Sequence, residues 1–215
     1  MYKGVIFDLD GTLLNTLEDL AEAGNYALEK QGLPVHEIEK YKYFIGNGIP
    51  KLIERILPQG SSQAQLEQTH RLFSEYYEAH KCDKTAPYEG ITELIDNIRA
   101  KGIKTAVATN KAHKFAVEMV NNYFGDSFDM IIGQSDGRPK KPDPACVLEI
   151  QHSWSFAKNE ILYVGDSGVD MLTAKNGGFD SCGVLWGYRE REELLSEGAV
   201  YLADNAEELF NYIYG

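Results

Sequence analysis

The sequence has no long hydrophobic run and few cysteines. No apolar segment approaches the ~20 residues that a helix needs to cross a bilayer, and the first residues lack the pattern of a signal peptide. The three cysteines, Cys82, Cys146 and Cys182, are far apart and form no C-x-x-C pair, which argues against a disulfide framework or a zinc site. We therefore expect a cytoplasmic protein with no membrane partner.

Positive charge is also scarce. The chain carries 21 lysines and arginines against 33 aspartates and glutamates, which gives a net charge of −12. This balance disfavours nucleic acid as a partner, and any phosphate site must be built locally from a few donors and a metal. The five histidines show no H-x-H or H-E-x-x-H spacing, so we interpret them as surface or helix residues.

Two kinds of pattern divide the 215 residues, which suffice for one core and a smaller domain. Residues 15 to about 82 show helical periodicity without a convincing strand, whereas from Pro87 short apolar runs alternate with helices. Such alternation indicates a parallel, doubly wound sheet. We predict an α/β fold with its core in residues 1–14 and 84–215, interrupted by a helical domain at residues 15–83.

The first predicted strand, residues 5–7, ends in two aspartates one residue apart, Asp8 and Asp10. Alternation would point both side chains to one side, at the carboxyl end of the strand, where open α/β sheets bind ligands. Two like charges this close repel each other unless a cation lies between them or one carries a proton. Taken alone, the pair is more often an acidic turn than a site.

Three further polar groups fall at strand ends or in the loops beyond them: Thr109-Asn110, Lys140-Lys141, and Asp166 with Ser167 and Asp170. Each has an ordinary interpretation. Thr109 can simply end a strand, and Ser167 can be only a helix N-cap. Lysines such as Lys140 and Lys141 are usually solvated.

Together, the patterns D-x-D-G-T, T-N, K-P and G-D-S-x-x-D resemble the haloacid dehalogenase (HAD) superfamily of phosphohydrolases and phosphotransferases. The resemblance covers the whole predicted core and implies a Rossmann-like sheet whose strand order brings the four motifs to one pocket. It also implies a Mg²⁺ ion held by the Asp8 carboxylate, the Asp10 backbone carbonyl and Asp166. Hard oxygen ligands without a Cys/His cluster suit Mg²⁺.

The resemblance makes Asp8 the nucleophile that forms an aspartyl-phosphate, and Asp10 the group that protonates the leaving alcohol and later activates water. An ordinary aspartic acid is ionised at neutral pH, so we expect partial burial to favour the protonated form of Asp10. The Thr109 hydroxyl and the Asn110 backbone N–H would hold phosphoryl oxygens, the latter at the start of a helix predicted over residues 111–124.

Of the two adjacent lysines, Lys141 matches the family pattern because it precedes Pro142 in K-P-x-P. It would balance the charge of Asp8 and of the phosphoryl oxygens. Asp170, one helical turn past the last motif aspartate, and Ser167 would orient Lys141 or a metal-bound water.

The helical insert resembles the small helical (C1-type) cap of the superfamily. Within it, Gly46-Asn47-Gly48 before a helix resembles the I-G-x-G segment of phosphoglycolate phosphatases. The two glycines permit a tight turn whose backbone N–H groups could meet a substrate carboxylate, although an ordinary helix–helix turn would look the same. Asn15 departs from the pattern of those phosphatases, which usually have an aspartate there, beside the expected hinge.

These features predict a Mg²⁺-dependent hydrolase of a small phosphate monoester, with 2-phosphoglycolate as the best single candidate. A broad-range sugar-phosphate phosphatase, a pyrophosphatase or a β-phosphoglucomutase are alternatives within the superfamily. A phospho-receiver signalling domain is the non-enzymatic alternative, but receivers lack a helical insert after the first strand and their paired acids are adjacent. We expect a monomer or a weak homodimer.

Overall fold

The computed structural model describes all 215 residues, which divide into two compact units. The first unit comprises Met1–Leu14 and Pro87–Gly215, and the second comprises Asn15–Ala86. The chain therefore returns to the first unit somewhat later than the boundary between residues 83 and 84 that the sequence suggested. No helix is both long enough and apolar enough to span a membrane.

Strands and helices alternate along most of the first unit. The strands are β1 (Gly4–Phe7), β2 (Leu14–Asn15), β3 (Ala86–Pro87), β4 (Lys104–Ala112), β5 (Met130–Gln134), β6 (Ile161–Gly165), β7 (Asp180–Val184) and β8 (Tyr201–Ala203). The helices are α1 (Leu17–Glu29), α2 (Tyr41–Phe44), α3 (Ile49–Ile56), α4 (Gln63–His80), α5 (Ile91–Ala100), α6 (His113–Phe124), α7 (Ala145–Trp154), α8 (Gly168–Gly177), α9 (Arg191–Ser196) and α10 (Ala206–Tyr214).

Six strands form one parallel sheet in the order β5-β4-β1-β6-β7-β8, and the short β2 and β3 pair with each other. Alternation along β1 places Val5 and Phe7 in one apolar cluster with Leu162, and Ile6 in the other with Tyr163. Helices α5, α6 and α10 contribute to the first cluster, and α7 and α8 to the second. A parallel sheet covered on both faces confirms the predicted fold class.

One boundary differs from the prediction in a way that affects the site. The sequence placed a helix over residues 111–124, but β4 continues to Ala112 and α6 begins after it. Pairing of Ala112 with Gln134, beyond an irregularity in the register, extends the strand. Tertiary pairing thus overrides the local helical pattern. Asn110 lies in a strand, so its backbone N–H is not at a helix start, and that part of the prediction is wrong.

The second unit is helical. Helix α1 packs along α4, and α2 and α3 complete the group, with Phe73 and Tyr77 of α4 fully buried. Asp19, in the first turn of α1, accepts hydrogen bonds from the backbone N–H groups of Lys84 (3.0 Å) and Thr85 (2.9 Å) and from the Thr85 hydroxyl (2.6 Å). This buried carboxylate therefore ties α1 to the segment that leads into β3.

Candidate active site

Asp8, Lys141 and Asp170 meet at the carboxyl end of the sheet. The Lys141 ammonium lies 2.9 Å from Asp8 Oδ1 and 2.8 Å from Asp170 Oδ1. It also donates hydrogen bonds to the Ala108 carbonyl (3.0 Å) and the Tyr163 hydroxyl (2.9 Å). Burial alone would lower the pKa of Lys141, but the attraction of Asp170 and Asp8 raises this pKa well above its ordinary value. The lysine is therefore charged and joins the two carboxylates.

Ser167 holds the second oxygen of Asp170. Its hydroxyl donates to Asp170 Oδ2 at 2.6 Å and its backbone N–H donates to the same oxygen at 3.1 Å. A Cβ atom on Gly165 would lie 2.3 Å from the Asp170 Cβ, so only glycine permits β6 to end this close to α8. Both Asp170 oxygens are consequently engaged within the protein.

Asp166 directly follows β6 and is enclosed by two loops. The Thr12 hydroxyl donates to its Oδ1 (3.1 Å), and the Tyr188 backbone N–H donates to its Oδ2 (2.9 Å). A Cβ atom on Gly11 would lie 2.3 Å from Asp166 Oδ2, and one on Gly187 would lie 2.2 Å from the Asp166 Cβ. These close approaches explain why both loops carry a glycine at the point where they pass the carboxylate.

The carboxylates of Asp8, Asp166 and Asp170 contribute oxygens that all lie within 4.8 Å of one another. Burial raises the pKa of Asp8 to about 6 despite the opposing effect of Lys141, and burial together with Asp170 and Asp8 raises the pKa of Asp166 well above its ordinary value. Asp8 Oδ1 is buried and receives no hydrogen bond of good geometry, although Lys141 is close enough for an ion pair. Crowded, oxygen-only and under-compensated carboxylates fit a hard divalent cation.

Thr109 and Asn110 lie near the end of β4. The Asn110 side chain makes two bonds with the backbone of Lys141: its Oδ1 accepts from the N–H (2.9 Å) and its Nδ2 donates to the carbonyl (3.3 Å). The Thr109 hydroxyl oxygen accepts the Lys111 backbone N–H at 3.3 Å. Asn110 therefore positions the lysine loop through its side chain, a role that was not predicted from the T-N motif, where only its backbone N–H was assigned a function.

Asp10 has a partner that sequence reasoning missed. The Lys111 ammonium lies 2.8 Å from Asp10 Oδ1, and the side chains are only 3% and 14% exposed, respectively. Asp10 is thus partly buried, as expected, and it lies in contact with a buried ammonium group. The available signal was the position of Lys111 directly after Thr109-Asn110 at the end of a predicted strand.

Tyr163 was also missed. It is fully buried in β6, and its hydroxyl accepts from Lys141 while lying 3.1 Å from Asp170 Oδ1 and 3.2 Å from the Ala108 carbonyl, its two possible acceptors. The only signal was one hydroxyl within the otherwise apolar run I-L-Y-V-G. A buried tyrosine usually finds a polar partner, and here that partner is the site lysine.

In the second unit, Gly46-Asn47-Gly48 forms the turn between α2 and α3. Gly46 has φ 114° and Gly48 has φ 82°, backbone conformations that favour glycine. Arg55 donates to Asn47 Oδ1 at 2.8 Å and to the Phe44 carbonyl at 2.9 Å. Asn47 therefore uses its side-chain oxygen to hold the turn.

The structure brings the predicted motif residues of the first unit together through direct contacts or as chain neighbours: Asp8, Asp10, Thr109, Asn110, Lys141, Asp166, Ser167 and Asp170. Lys141 is buried, whereas Lys140 is exposed. A parallel sheet whose interior strand ends at a buried, lysine-paired aspartate beside further carboxylates has the arrangement of a phosphoryl-transfer enzyme.

Comparison with known proteins identifies the family. Residues 5–184 match the family model of the haloacid dehalogenase-like hydrolases. The phosphoglycolate phosphatase of Vibrio parahaemolyticus serotype O3:K6 is 31% identical over 218 residues, which cover 98% of this chain and 96% of that protein. The phosphoglycolate phosphatase of Cereibacter sphaeroides is 34% identical over 194 residues, 86% of each chain.

The solved structures give the same result. The crystal structure of a candidate phosphoglycolate phosphatase from Lactobacillus delbrueckii subsp. bulgaricus superposes with a TM-score of 0.94 at 33% identity, covering 100% of this chain and 99% of the other. The chain belongs to the haloacid dehalogenase-like hydrolases. Within that family it is an HAD-like phosphatase.

Proposed function

We propose that the protein is a Mg²⁺-dependent phosphomonoester hydrolase that acts through an aspartyl-phosphate and that its substrate is 2-phosphoglycolate. One observation carries the reaction class: Asp8 is buried at the carboxyl end of an interior strand, faces the Lys141 ammonium and shares a carboxylate cluster with Asp166. A carboxylate held in this way is a suitable nucleophile for a phosphoryl group.

The Asp8 and Asp166 carboxylates and the Asp10 backbone carbonyl would hold the Mg²⁺ ion. When bound, the ion supplies positive charge that offsets the repulsion between the attacking carboxylate and the phosphate dianion. Asp170 is a less suitable ligand, because Lys141 and Ser167 already engage both of its oxygens.

The Thr109 hydroxyl, the Asn110 backbone N–H and the Lys141 ammonium would bind the phosphoryl oxygens. Asp8 attacks phosphorus as the bond to the ester oxygen breaks, and Asp10 gives its proton to that departing oxygen. Water then attacks the aspartyl-phosphate, Asp10 takes the proton of the water, and inorganic phosphate leaves with Asp8 restored.

We further propose that the helical unit, assigned from the sequence to residues 15–83, acts as a cap that excludes water and contributes substrate contacts. The turn at Gly46-Asn47-Gly48 supports a carboxylate contact, since it precedes the first turn of α3. Two relatives that cover most of the chain are named phosphoglycolate phosphatases, and this supports the substrate. The cysteines are free thiols, which supports a reducing, cytoplasmic location.

A kcat/KM panel tests the substrate. We expect 2-phosphoglycolate to exceed glucose 6-phosphate, β-glucose 1-phosphate and pyrophosphate by at least about tenfold, the discrimination that one well-placed charged contact provides. A sugar phosphate or pyrophosphate in first place would contradict the substrate and leave the reaction class standing. Acid-quenched single turnovers should also contain a hydroxylamine-sensitive phosphoprotein, and its absence at every time point would contradict the aspartyl-phosphate.

A further inference from the structure

Lys111 is a buried cation that the proposed steps do not use. It and Lys141 are the only buried lysines of the first unit. Its ammonium lies 2.8 Å from Asp10 Oδ1, and its side chain is 3% exposed. Arg138, another cation of the first unit, is paired elsewhere, because its guanidinium lies 2.9 Å from Glu149. Lysine side chains are seldom buried, because burial removes the ammonium from water, and the contact with Asp10 is what compensates Lys111 here.

The two buried lysines face different parts of the reaction. The Lys141 ammonium is engaged by Asp8, Asp170, the Tyr163 hydroxyl and a backbone carbonyl, which exceed its three protons. Lys141 therefore contacts the nucleophile, Asp8, and in the proposed reaction it also contacts the phosphoryl group. Lys111 instead contacts Asp10, whose partner in the proposed reaction is the ester oxygen. Lys111 therefore lies on the side of the leaving group.

We propose that Lys111 binds the carboxylate of the leaving group and thereby selects phosphate esters of small hydroxy acids. This inference rests on the proposed function, because it takes Asp10 as the group that contacts the ester oxygen. An ammonium 2.8 Å from Asp10 Oδ1 is roughly 5.5 Å, or two hydrogen-bond lengths, at most from an ester oxygen that contacts this same Asp10 oxygen. In 2-phosphoglycolate the carboxyl carbon is two bonds from the ester oxygen. The carboxylate oxygens therefore lie closer to the ester oxygen than this maximum distance. Lys111 can therefore contact the substrate carboxylate while it stays close to Asp10.

The buried position of Lys111 also disfavours substrates whose leaving group is neutral. A buried ammonium loses its hydration and is compensated only by the groups that the site provides. An acidic leaving group adds a second negative partner to Lys111, whereas a hydroxyl of the same size adds only a weak acceptor. The expected consequence is a preference for a carboxylate over a hydroxyl at that carbon, expressed mainly in KM.

The test compares two esters of nearly equal size, 2-phosphoglycolate and 2-hydroxyethyl phosphate. Lys111→Gln keeps a hydrogen-bond donor near Asp10 but removes the charge, and Lys111→Arg keeps the charge. Lys140→Gln, at the exposed neighbour of the phosphate lysine, is the matched control. Steady-state kcat and KM are measured for both esters, with thermal melts to establish that each variant folds.

Wild type should prefer 2-phosphoglycolate, and Lys111→Gln should lower kcat/KM for this ester by about 10- to 100-fold, the range for loss of a charge-assisted hydrogen bond. The effect on 2-hydroxyethyl phosphate should be several-fold smaller, and Lys111→Arg should restore most of the preference. Equal losses on both esters would overturn the proposal, because they would show that Lys111 serves only Asp10. An unchanged preference would overturn it as well. A wild type without any preference would contradict the proposed substrate itself, which is a separate outcome.

Discussion

Asp8 is ionised only at an energetic cost, because it is buried close to Asp166 and Asp170. Its pKa is raised from 3.8 to about 6 in the folded protein. Between these two values the unfolded chain binds fewer protons than the folded one, so the free energy of unfolding falls as the pH rises. Above pH 7 the full penalty in the metal-free protein is on the order of 3 kcal/mol.

Asp8→Asn removes this penalty. We expect the metal-free variant to be more stable than wild type by about 1–3 kcal/mol at pH 8, with the difference shrinking toward zero near pH 4. Phosphatase activity should fall by at least about 10³-fold, because the nucleophile is lost. Urea unfolding in EDTA at both pH values provides the measurement, with the exposed Asp126→Asn as the control. A stability difference that does not vary with pH would contradict the assigned cause.

The Tyr163 hydroxyl accepts a hydrogen bond from Lys141, the lysine proposed to bind phosphate. We expect Tyr163→Phe to lower kcat/KM by about 3- to 10-fold, because Lys141 loses one of its hydrogen-bond partners but keeps Asp8 and Asp170. Inhibition by inorganic phosphate should weaken in parallel, which a loss of stability alone would not cause. Tyr214→Phe, at an exposed position, is the control. Unchanged phosphate inhibition would contradict a positioning role for the hydroxyl.

At the scale of secondary-structure elements, the end of β4 determines much of the site. The strand continues to Ala112 because it pairs with Gln134 of β5, and this keeps Asn110 and Lys111 in extended backbone. Had the helix begun at residue 111, the asparagine side chain and the lysine ammonium would not have been directed as they are. Strand pairing, rather than the local helical pattern, therefore places the partners of Lys141 and Asp10.

Helix α1 depends on an element-scale contact of another kind. Asp19 accepts three hydrogen bonds from Lys84 and Thr85, so Asp19→Asn should lower the free energy of unfolding by about 1–3 kcal/mol. Hydrogen exchange should accelerate at the two backbone N–H groups. Glu29→Gln, at an exposed position on the same helix, controls for the change of charge. Normal exchange at Lys84 and Thr85 would show that the carboxylate does not hold this segment.

At the scale of the whole molecule, the excess of negative charge determines that the site requires a bound cation. The chain carries a net charge of −12, and its site sets four aspartates (Asp8, Asp10, Asp166 and Asp170) against two buried lysines. With every group ionised, this local imbalance equals the charge of one divalent cation. The site therefore needs a cation before it can accept a phosphate dianion.

Excess EDTA should abolish activity, and Mg²⁺ should restore it. Mg²⁺ at about 100 times its Kd should stabilise the folded protein by about 2.7 kcal/mol, a rise in Tm of roughly 5–10 °C for a chain of this size. Asp166→Asn should lose most of this rise, because one expected ligand is removed. Activity that is indifferent to the chelator would contradict the metal requirement, and an undiminished rise in Asp166→Asn would contradict the ligand assignment.

The sequence by itself determined the parallel α/β fold and indicated the principal acids. Apolar runs that alternate with helices dictate a doubly wound sheet, since both faces must be covered. Asp8, Asp10 and Asp166 could be found because they follow such runs directly, within recognisable motifs. Local patterns suffice for these features, because strand alternation and strand ends are properties of a few neighbouring residues.

The tertiary structure alone decided how the site residues pair. Lys111 meets Asp10 across 101 residues of sequence, because β4 and β1 are neighbours in the sheet, and Tyr163 of β6 meets Lys141, which follows β5, across 22. Neither pairing is contained in a local pattern. Each pairing depends on strand order and register, which are properties of the assembled sheet rather than of a short stretch of sequence.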